Sequence, residues 1–253
     1  MSWTCGPIPT WPGGIINKYG SVRDDGTGSR LDAATKTGFR KGRICHGTIN
    51  LKLPLDPESI KGFLAPEEGA ALHAVALRQS LHGPCVEIGG YCGKSALYIG
   101  TACAAAGEIL FSIDHHRGSE ENQPGWDYFD ETVWDEAAQA VDTLPFFRST
   151  VRKAGLEGTV VPIVGKSIDI AKRWHTPISF LFIDGGHTME HALNDYRGWL
   201  PHVMPNGIVA IHDVFPDPKD GGRPPYEVYQ RALASDLFVE EQAVASLRIL
   251  RRL

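Results

Sequence analysis

Short apolar runs, each closed by glycine or by charge, divide most of the chain: CVEI at Cys85–Ile88, ILFSI at Ile109–Ile113, VVPIV at Val160–Val164, SFLFI at Ser179–Ile183 and GIVAI at Gly207–Ile211. Unbroken β-rich runs of this length are the pattern of parallel strands buried on both faces. Helical spacing fills the intervals. Pro66-Glu67-Glu68 opens a helix, with proline in the first turn and acids near the positive end of the dipole, and Leu72, Val75, Ala76 and Gln79 continue it. Further helices are predicted after the glycine turn at 89–93, over about Glu131–Ala140 and Thr143–Ala154, from Ser167, and over Tyr226–Leu233. Two last strands are predicted at Phe238–Val244 and Ser246–Arg252, with a weak one at Ile44–Leu53. Strands alternating with helices predict an α/β fold with a doubly wound, mostly parallel sheet.

Residues 1–60 have another texture, punctuated by Gly, Pro, Thr and Asp with aromatic islands at Trp3, Trp11, Tyr19 and Phe39. They read as an N-terminal arm on a main domain at 61–253. The arm either packs over that domain, covers an acceptor as a lid, or makes a homodimer contact, because Trp and Tyr also mark interfaces. The formal charge of −5 argues against a nucleic-acid footprint, which needs a basic surface. The start carries neither a charged leader nor an apolar run, and no segment reaches the roughly 18 apolar residues that span a membrane. A cytoplasmic protein is expected. The five cysteines form no CxxC and suit reduced thiols.

Candidate chemistry begins at the first strand's end. Gly89, Gly90 and Gly93 let the backbone turn sharply and leave room for a ligand against the amides that open the next helix. Asp114, 25 residues after Gly89, stands where a carboxylate can accept hydrogen bonds from a ribose. A dinucleotide fingerprint fails, because its second and third glycine positions hold Tyr91 and Lys94. The ATPase P-loop is one residue short: Gly93-Lys94-Ser95 supplies its end, but Ile88 stands where its first glycine belongs. E-x-G-x-x-x-G remains, carried by Glu87, Gly89 and Gly93 and followed by Asp114.

A second cluster lies at two later strand ends. SFLFI delivers Asp184-Gly185-Gly186-His187, and GIVAI delivers His212-Asp213. On a parallel sheet these residues share one edge, so Asp184, His187, His212 and Asp213 should converge. Like-charged carboxylates brought together are relieved by a proton or a cation. Oxygen donors suit Mg²⁺, and a nearby histidine lets Mn²⁺ compete. The polar stretch HHRGSEENQPGWDYFDE after Asp114 reads either as a solvated loop or as a wall, with His115 and His116 beside the cofactor and Glu120, Glu121, Trp126 and Tyr128 around an acceptor. Arg223, at the rim, reads as solvated or as a partner for an acidic group on the acceptor.

The E-x-G-x-x-x-G…Asp pattern resembles the first motif of the class I methyltransferases that bind S-adenosylmethionine. The resemblance implies their Rossmann-like fold, ended by an antiparallel hairpin that the last two strands would form. It implies that Glu87 and the glycine turn hold the methionine end of the cofactor and Asp114 its ribose, with Ser95, His115 and Ser167 completing the set. The stretch FIDGGHTMEHALNDYRGWLPHVMPNGIVAIHDVF resembles a metal-dependent O-methyltransferase branch that includes catechol and macrolide-sugar enzymes. By that likeness Asp184 and Asp213 hold Mg²⁺, and His187 is the base. Val214 departs from the catechol pattern, which places an asparagine ligand there, so the third ligand stays open among His212, His187 and an acid of the 117–131 loop. DHHRGSEENQPGWDYFD further resembles bacterial proteins related to the mannoside 1-O-methyltransferases. The implied activity is divalent-metal-assisted O-methylation of a small polar acceptor, a sugar or polyhydroxylated natural product. The alternatives are a relative associated with antibiotic hydroxylation, a non-catalytic binding protein on the same fold, and a P-loop-like ATPase.

Overall fold

In the computed structural model, which describes residues 51–253, the chain enters its sheet through helix α1 (Pro66–Gln79) and strand β1 (Cys85–Ile88). Helix α2 (Lys94–Ala106) and strand β2 (Leu110–Asp114) follow. A two-residue pair, β3 (Trp134–Asp135) with β4 (Ala140–Val141), interrupts the alternation before α3 (Leu144–Lys153) and β5 (Val160–Val164). The second half runs α4 (Ser167–Ala171), β6 (Ile178–Ile183), α5 (Met189–Trp199), β7 (Val203–Ile211), α6 (Arg223–Ala234), β8 (Phe238–Val244) and β9 (Leu247–Arg252). Among the described residues no helix is long and apolar enough to cross a membrane.

The main sheet has seven strands in the order β5-β2-β1-β6-β7-β9-β8. All neighbours are parallel except β9, which is antiparallel to both β7 and β8. The expected doubly wound sheet with a terminal antiparallel hairpin is therefore present. All residues of β1 and β6 are buried, which is why these runs lack polar alternation. One face packs Phe180, Phe182, Ile208 and Ile249 against α1 and α2. The other packs Leu181, Val209, Ile211 and Leu250 against the α5 and α6 side, with Trp199 fully buried among them. Truncating a buried phenylalanine such as Phe180 to alanine costs about 3–5 kcal/mol, transfer and cavity terms together.

Strand order reverses between β1 and β6, the switch point at which open α/β sheets leave a crevice for ligands. The last rungs of the ladder run straight into the motifs. Gly89 N–H donates to Ile113 O at 3.0 Å, Asp184 N–H to Ile88 O at 2.9 Å, and His212 N–H to Ile183 O at 3.1 Å.

Two sequence expectations are corrected. Glu131–Ala140 is not a helix: it holds a 3₁₀ turn at Glu131–Val133 and then the β3–β4 pair. Asp135 is the cause, since its Oδ1 accepts the N–H groups of Ala137 (2.9 Å) and Ala138 (3.2 Å), a side-chain turn that competes with helical bonding. The weak strand at Ile44–Leu53 lies mostly outside the described residues, and its described end, Leu51–Leu53, is irregular. Leu51, Leu53 and Leu55 nevertheless pack against the main core. Residues 1–50 of the arm lie outside the described residues, and its described end adds a 3₁₀ turn at Pro57–Ser59.

Candidate active site

A cavity of about 680 Å³ opens over the carboxyl edge of the sheet. Gly89, Ser95, Asp114, His115 and Ser167 line it at one end, and Asp184, His187, His212 and Asp213 line it at the other. Gly93 supports the wall from behind: its φ of +91° turns the chain into α2. Gly89 is where the two ends meet. At φ +91° a Cβ there would lie 2.0 Å from the carbonyl oxygen of Asp184, so only glycine lets the β1 and β6 loops approach this closely.

Glu87 is fully buried and does not reach the cavity wall; Ser95 links it to the cavity by donating its hydroxyl to Glu87 Oε1 at 3.1 Å. Burial, reinforced by the Asp184 and Asp114 charges, pushes the Glu87 carboxyl up to about 8. Asp114 accepts backbone N–H groups from Gly90 (3.0 Å) and Tyr91 (2.8 Å) through Oδ2, and from His116 (2.7 Å) through Oδ1. His115 is half-exposed beside it, whereas His116 turns inward, 2% exposed, against Thr143 Oγ1. Ser167 donates to Asp195 Oδ1 at 2.5 Å and accepts from Trp199 Nε1 at 2.7 Å.

The strand-end residues predicted to converge do so. His212 Nδ1 lies 3.0 Å from Asp184 Oδ1 and 3.4 Å from Asp213 Oδ2. His187 Nε2 lies 3.1 Å from Asp213 Oδ2, and its Nδ1 is 3.1 Å from Glu121 Oε2. Asp213 adopts φ 55°, a left-handed conformation that aspartate tolerates better than most residues and that aims its side chain off the strand. Burial works against its charge, but the hydrogen bonds from His187 and His212 outweigh that and hold its carboxyl well below the usual range. Burial likewise opposes a charge on His212, yet Asp184, Asp213 and Glu68 together raise it far above an ordinary histidine. His187 is raised to about 9, first by its hydrogen bond to Asp213, against burial, and then by the Asp184 and Glu121 charges. The likeness made His187 the base; as the side chains stand, these partners favour its charged form.

The donor set fits a divalent cation: one atom each from Asp184, His212 and Asp213 lie within 4.8 Å of one another. Two carboxylates and one imidazole suit Mg²⁺ or Mn²⁺. Without a cation, the His212 imidazolium offsets the charge of the aspartate pair. Of the acceptor residues read from the loop, Glu120, Glu121 and Tyr128 line the cavity, while Trp126 is not part of its wall. Arg223 donates to the carbonyls of Phe215 and Pro216 and stacks over Tyr226, which ties down the rim loop.

Sequence reading missed Glu68, Phe63 and Tyr91. Glu68 comes from α1 and holds His212 Nε2 at 3.0 Å. Phe63 packs edge-on against Tyr128 (centroids 5.3 Å apart) and near Tyr91 (6.0 Å), and all three rings line the cavity. Nothing in the local sequence around these residues signals the contacts.

Known proteins share this architecture. The chain resembles the solved structure of TomG, an O-methyltransferase from Streptomyces achromogenes in complex with SAM, at 16% identity and TM-score 0.53, over 75% of this chain and 81% of that one. An O-methyltransferase from Bacillus cereus in complex with SAH matches at 15% identity and TM-score 0.53, over 76% and 83%. Cofactor-bound Rv0187 from MTB matches at 13% identity and TM-score 0.55, over 75% and 81%. At these identities the likeness is one of fold. Residues 86–214, just over half the chain and containing both strand-end clusters, match the methyltransferase domain. The protein belongs to the methyltransferase domain family, as the class I motif at Glu87–Gly93 implied.

Proposed function

We propose that this methyltransferase transfers the methyl group of S-adenosylmethionine to a hydroxyl of a small polar acceptor, with a divalent cation at Asp184, His212 and Asp213. The observation that carries the reading is the single cavity that joins the glycine turn and Asp114 to the Asp184–His212–Asp213 cluster and His187. A hydroxyl is a poor nucleophile at neutral pH, and this combination of cation donors and an adjacent histidine suits its activation.

Each residue then has a task. The turn at Gly89–Gly93 and the carboxylate of Asp114 hold the cofactor over the β1 end. When bound, the cation supplies Lewis acidity and a fixed position for the acceptor oxygen. Asp213 Oδ2 is shared between His187 and His212. Were that carboxylate to hold a cation, His187 would lose the hydrogen bond that first supports its charge. His187 Nε2 then takes the acceptor proton, while Glu121 faces Nδ1 and stabilises the imidazolium that forms. Alignment of two bound reactants supplies much of the acceleration.

The acceptor end combines the Phe63 and Tyr128 rings with Glu120, Glu121 and Glu190. Aromatic faces stack on sugar rings, and the carboxylates accept hydrogen bonds from hydroxyls while repelling anions. A neutral or aminated polyol fits better than a phosphorylated or carboxylated acceptor. The test is methyl transfer from isotope-labelled S-adenosylmethionine to a panel of sugars, amino sugars, catechols and sugar phosphates, with and without Mg²⁺ or Mn²⁺. O-methylated polyols formed only with a cation are expected. Transfer to nitrogen, or equal transfer to sugar phosphates, would refute the assignment.

A further inference from the structure

Glu68 is 3% exposed, yet its carboxylate is fully engaged. Oε1 accepts from Ser246 N–H at 2.9 Å and Ser246 Oγ at 2.8 Å. Oε2 accepts from Ala65 N–H at 3.1 Å and faces His212 Nε2 at 3.0 Å. The residue therefore joins the first turn of α1, the turn between β8 and β9, and the end of β7. A buried carboxylate with three other donors is charged and can only accept, so His212 Nε2 must carry the proton that faces it. Tautomer and ring orientation follow from that bond. His212 Nδ1 is left pointing between Asp184 Oδ1 and Asp213 Oδ2, at 3.0 and 3.4 Å.

We infer that Glu68 is a positioning residue for the cation site. It locks His212 with Nε2 protonated and offers Nδ1 as a nitrogen donor beside the two aspartates, and so tilts the site toward Mn²⁺ over Mg²⁺. Histidines that hold metals are commonly fixed in this way by a carboxylate on the far ring nitrogen. An imidazole donor favours Mn²⁺ and later transition ions, whereas Mg²⁺ prefers oxygen alone. The inference rests on the cation reading above. It adds that α1, an element outside both strand-end motifs, decides which ion the site takes.

The experiment titrates the full-length protein with Mn²⁺ alone, following free Mn²⁺ by electron paramagnetic resonance, and then competes with Mg²⁺. The wild type should prefer Mn²⁺. E68Q should weaken Mn²⁺ binding by about 10–100-fold, the usual worth of such a partner, and narrow the preference over Mg²⁺. Its affinity for S-adenosylhomocysteine should stay unchanged, which shows that the fold survives. A second measurement needs no variant. In the wild type loaded with diamagnetic Zn²⁺, nitrogen NMR should show His212 bound through Nδ1, with a hydrogen-bonded proton on Nε2. Unchanged Mn²⁺ affinity in E68Q, or Zn²⁺ bound through Nε2, overturns the role of Glu68 alone. A wild type that binds S-adenosylhomocysteine but no Mn²⁺ overturns the cation reading, and this inference with it.

Discussion

Asp114 Oδ2 accepts the backbone N–H of Tyr91 at 2.8 Å, so the carboxylate ending β2 holds the shape of the turn that ends β1. Tyr91 sits at φ 42°, a left-handed conformation that costs a bulky residue about 1–2 kcal/mol. The bonds from Tyr91 and Gly90 offset that strain. Asp114→Ala should therefore loosen the turn as well as remove the proposed cofactor contact. Losing bonds to a charged acceptor, worth about 1.5–3 kcal/mol each, should weaken S-adenosylhomocysteine binding at least tenfold by calorimetry. Mn²⁺ binding should stay near wild type. Equal loss of both in a folded variant would mean that the two ends of the cavity are not separate subsites.

Gly89 and Gly107 make a controlled pair. Both have positive φ, +91° and +73°, but a Cβ at Gly107 meets nothing within 4 Å, whereas one at Gly89 strikes the Asp184 carbonyl. Gly107→Ala should cost only the backbone term of about 1–2 kcal/mol. Gly89→Ala should cost more in thermal denaturation and should also weaken Mn²⁺ binding, because Asp184 must move. Identical losses in the two variants would show that the close approach has no consequence for the cation site.

Glu87 predicts a pH effect on stability. Its carboxyl is raised from the ordinary 4.5 to about 8, so the folded state binds this proton more tightly than the unfolded state. The contribution is fully present below about pH 4.5 and is lost as pH rises through 8. Glu87→Gln keeps a neutral group of the same shape. Melting temperatures measured from pH 5 to 9 should fall for the wild type relative to Glu87→Gln, with the gap widening toward pH 8. Parallel curves would mean that Glu87 is charged in the fold.

The strand ends were legible because each motif is local. A buried parallel strand is a continuous apolar run, and it ends where Asp184, His212 and Asp213 begin. The ladder bonds of Gly89, Asp184 and His212 then bring these residues to one edge whatever the loops do. What lay beyond reach depends on distance or competition. Glu68 reads as a helix-dipole charge, and its bond to His212 spans 144 positions. The supposed helix at Glu131–Ala140 had the composition of one, but Asp135 spends its side chain on the backbone of Ala137 and Ala138. Glu87 was legible as a motif residue in a buried strand, but its absence from the cavity wall was not, because the link through Ser95 forms only in the folded chain.

His187 should separate turnover from binding. It touches Asp213 and Glu121 but is not among the three grouped donor residues. His187→Ala should leave S-adenosylhomocysteine and Mn²⁺ affinity near wild type while lowering kcat by roughly 10²–10⁴-fold, the usual worth of a positioned general base. The acidic limb of the pH–rate profile should flatten in the variant. Retention of that limb would assign the base to another group.

Asp213 carries the cation prediction. Its Oδ2 contacts both histidines, and its left-handed backbone holds it where β7 ends. Asp213→Ala should abolish metal-dependent turnover, and added Mg²⁺ or Mn²⁺ should rescue it poorly, since Asp184 and His212 alone cannot fix the ion's geometry. Asp213→Asn keeps the shape but removes one of the two charges of the aspartate pair, so weak rescue by high Mn²⁺ is expected. Both variants also deprive His187 of its main charge partner. In the metal-free protein the His187 ring should therefore titrate lower in both variants than in the wild type, where the Asp213 hydrogen bond raises it, and NMR of the ring can follow this without any turnover. EDTA should silence the wild type, and Mn²⁺ should restore it. If the chelated enzyme keeps full activity, the cation has no part in the reaction, and the Asp184–His212–Asp213 cluster is an ion-pair network that orients His187.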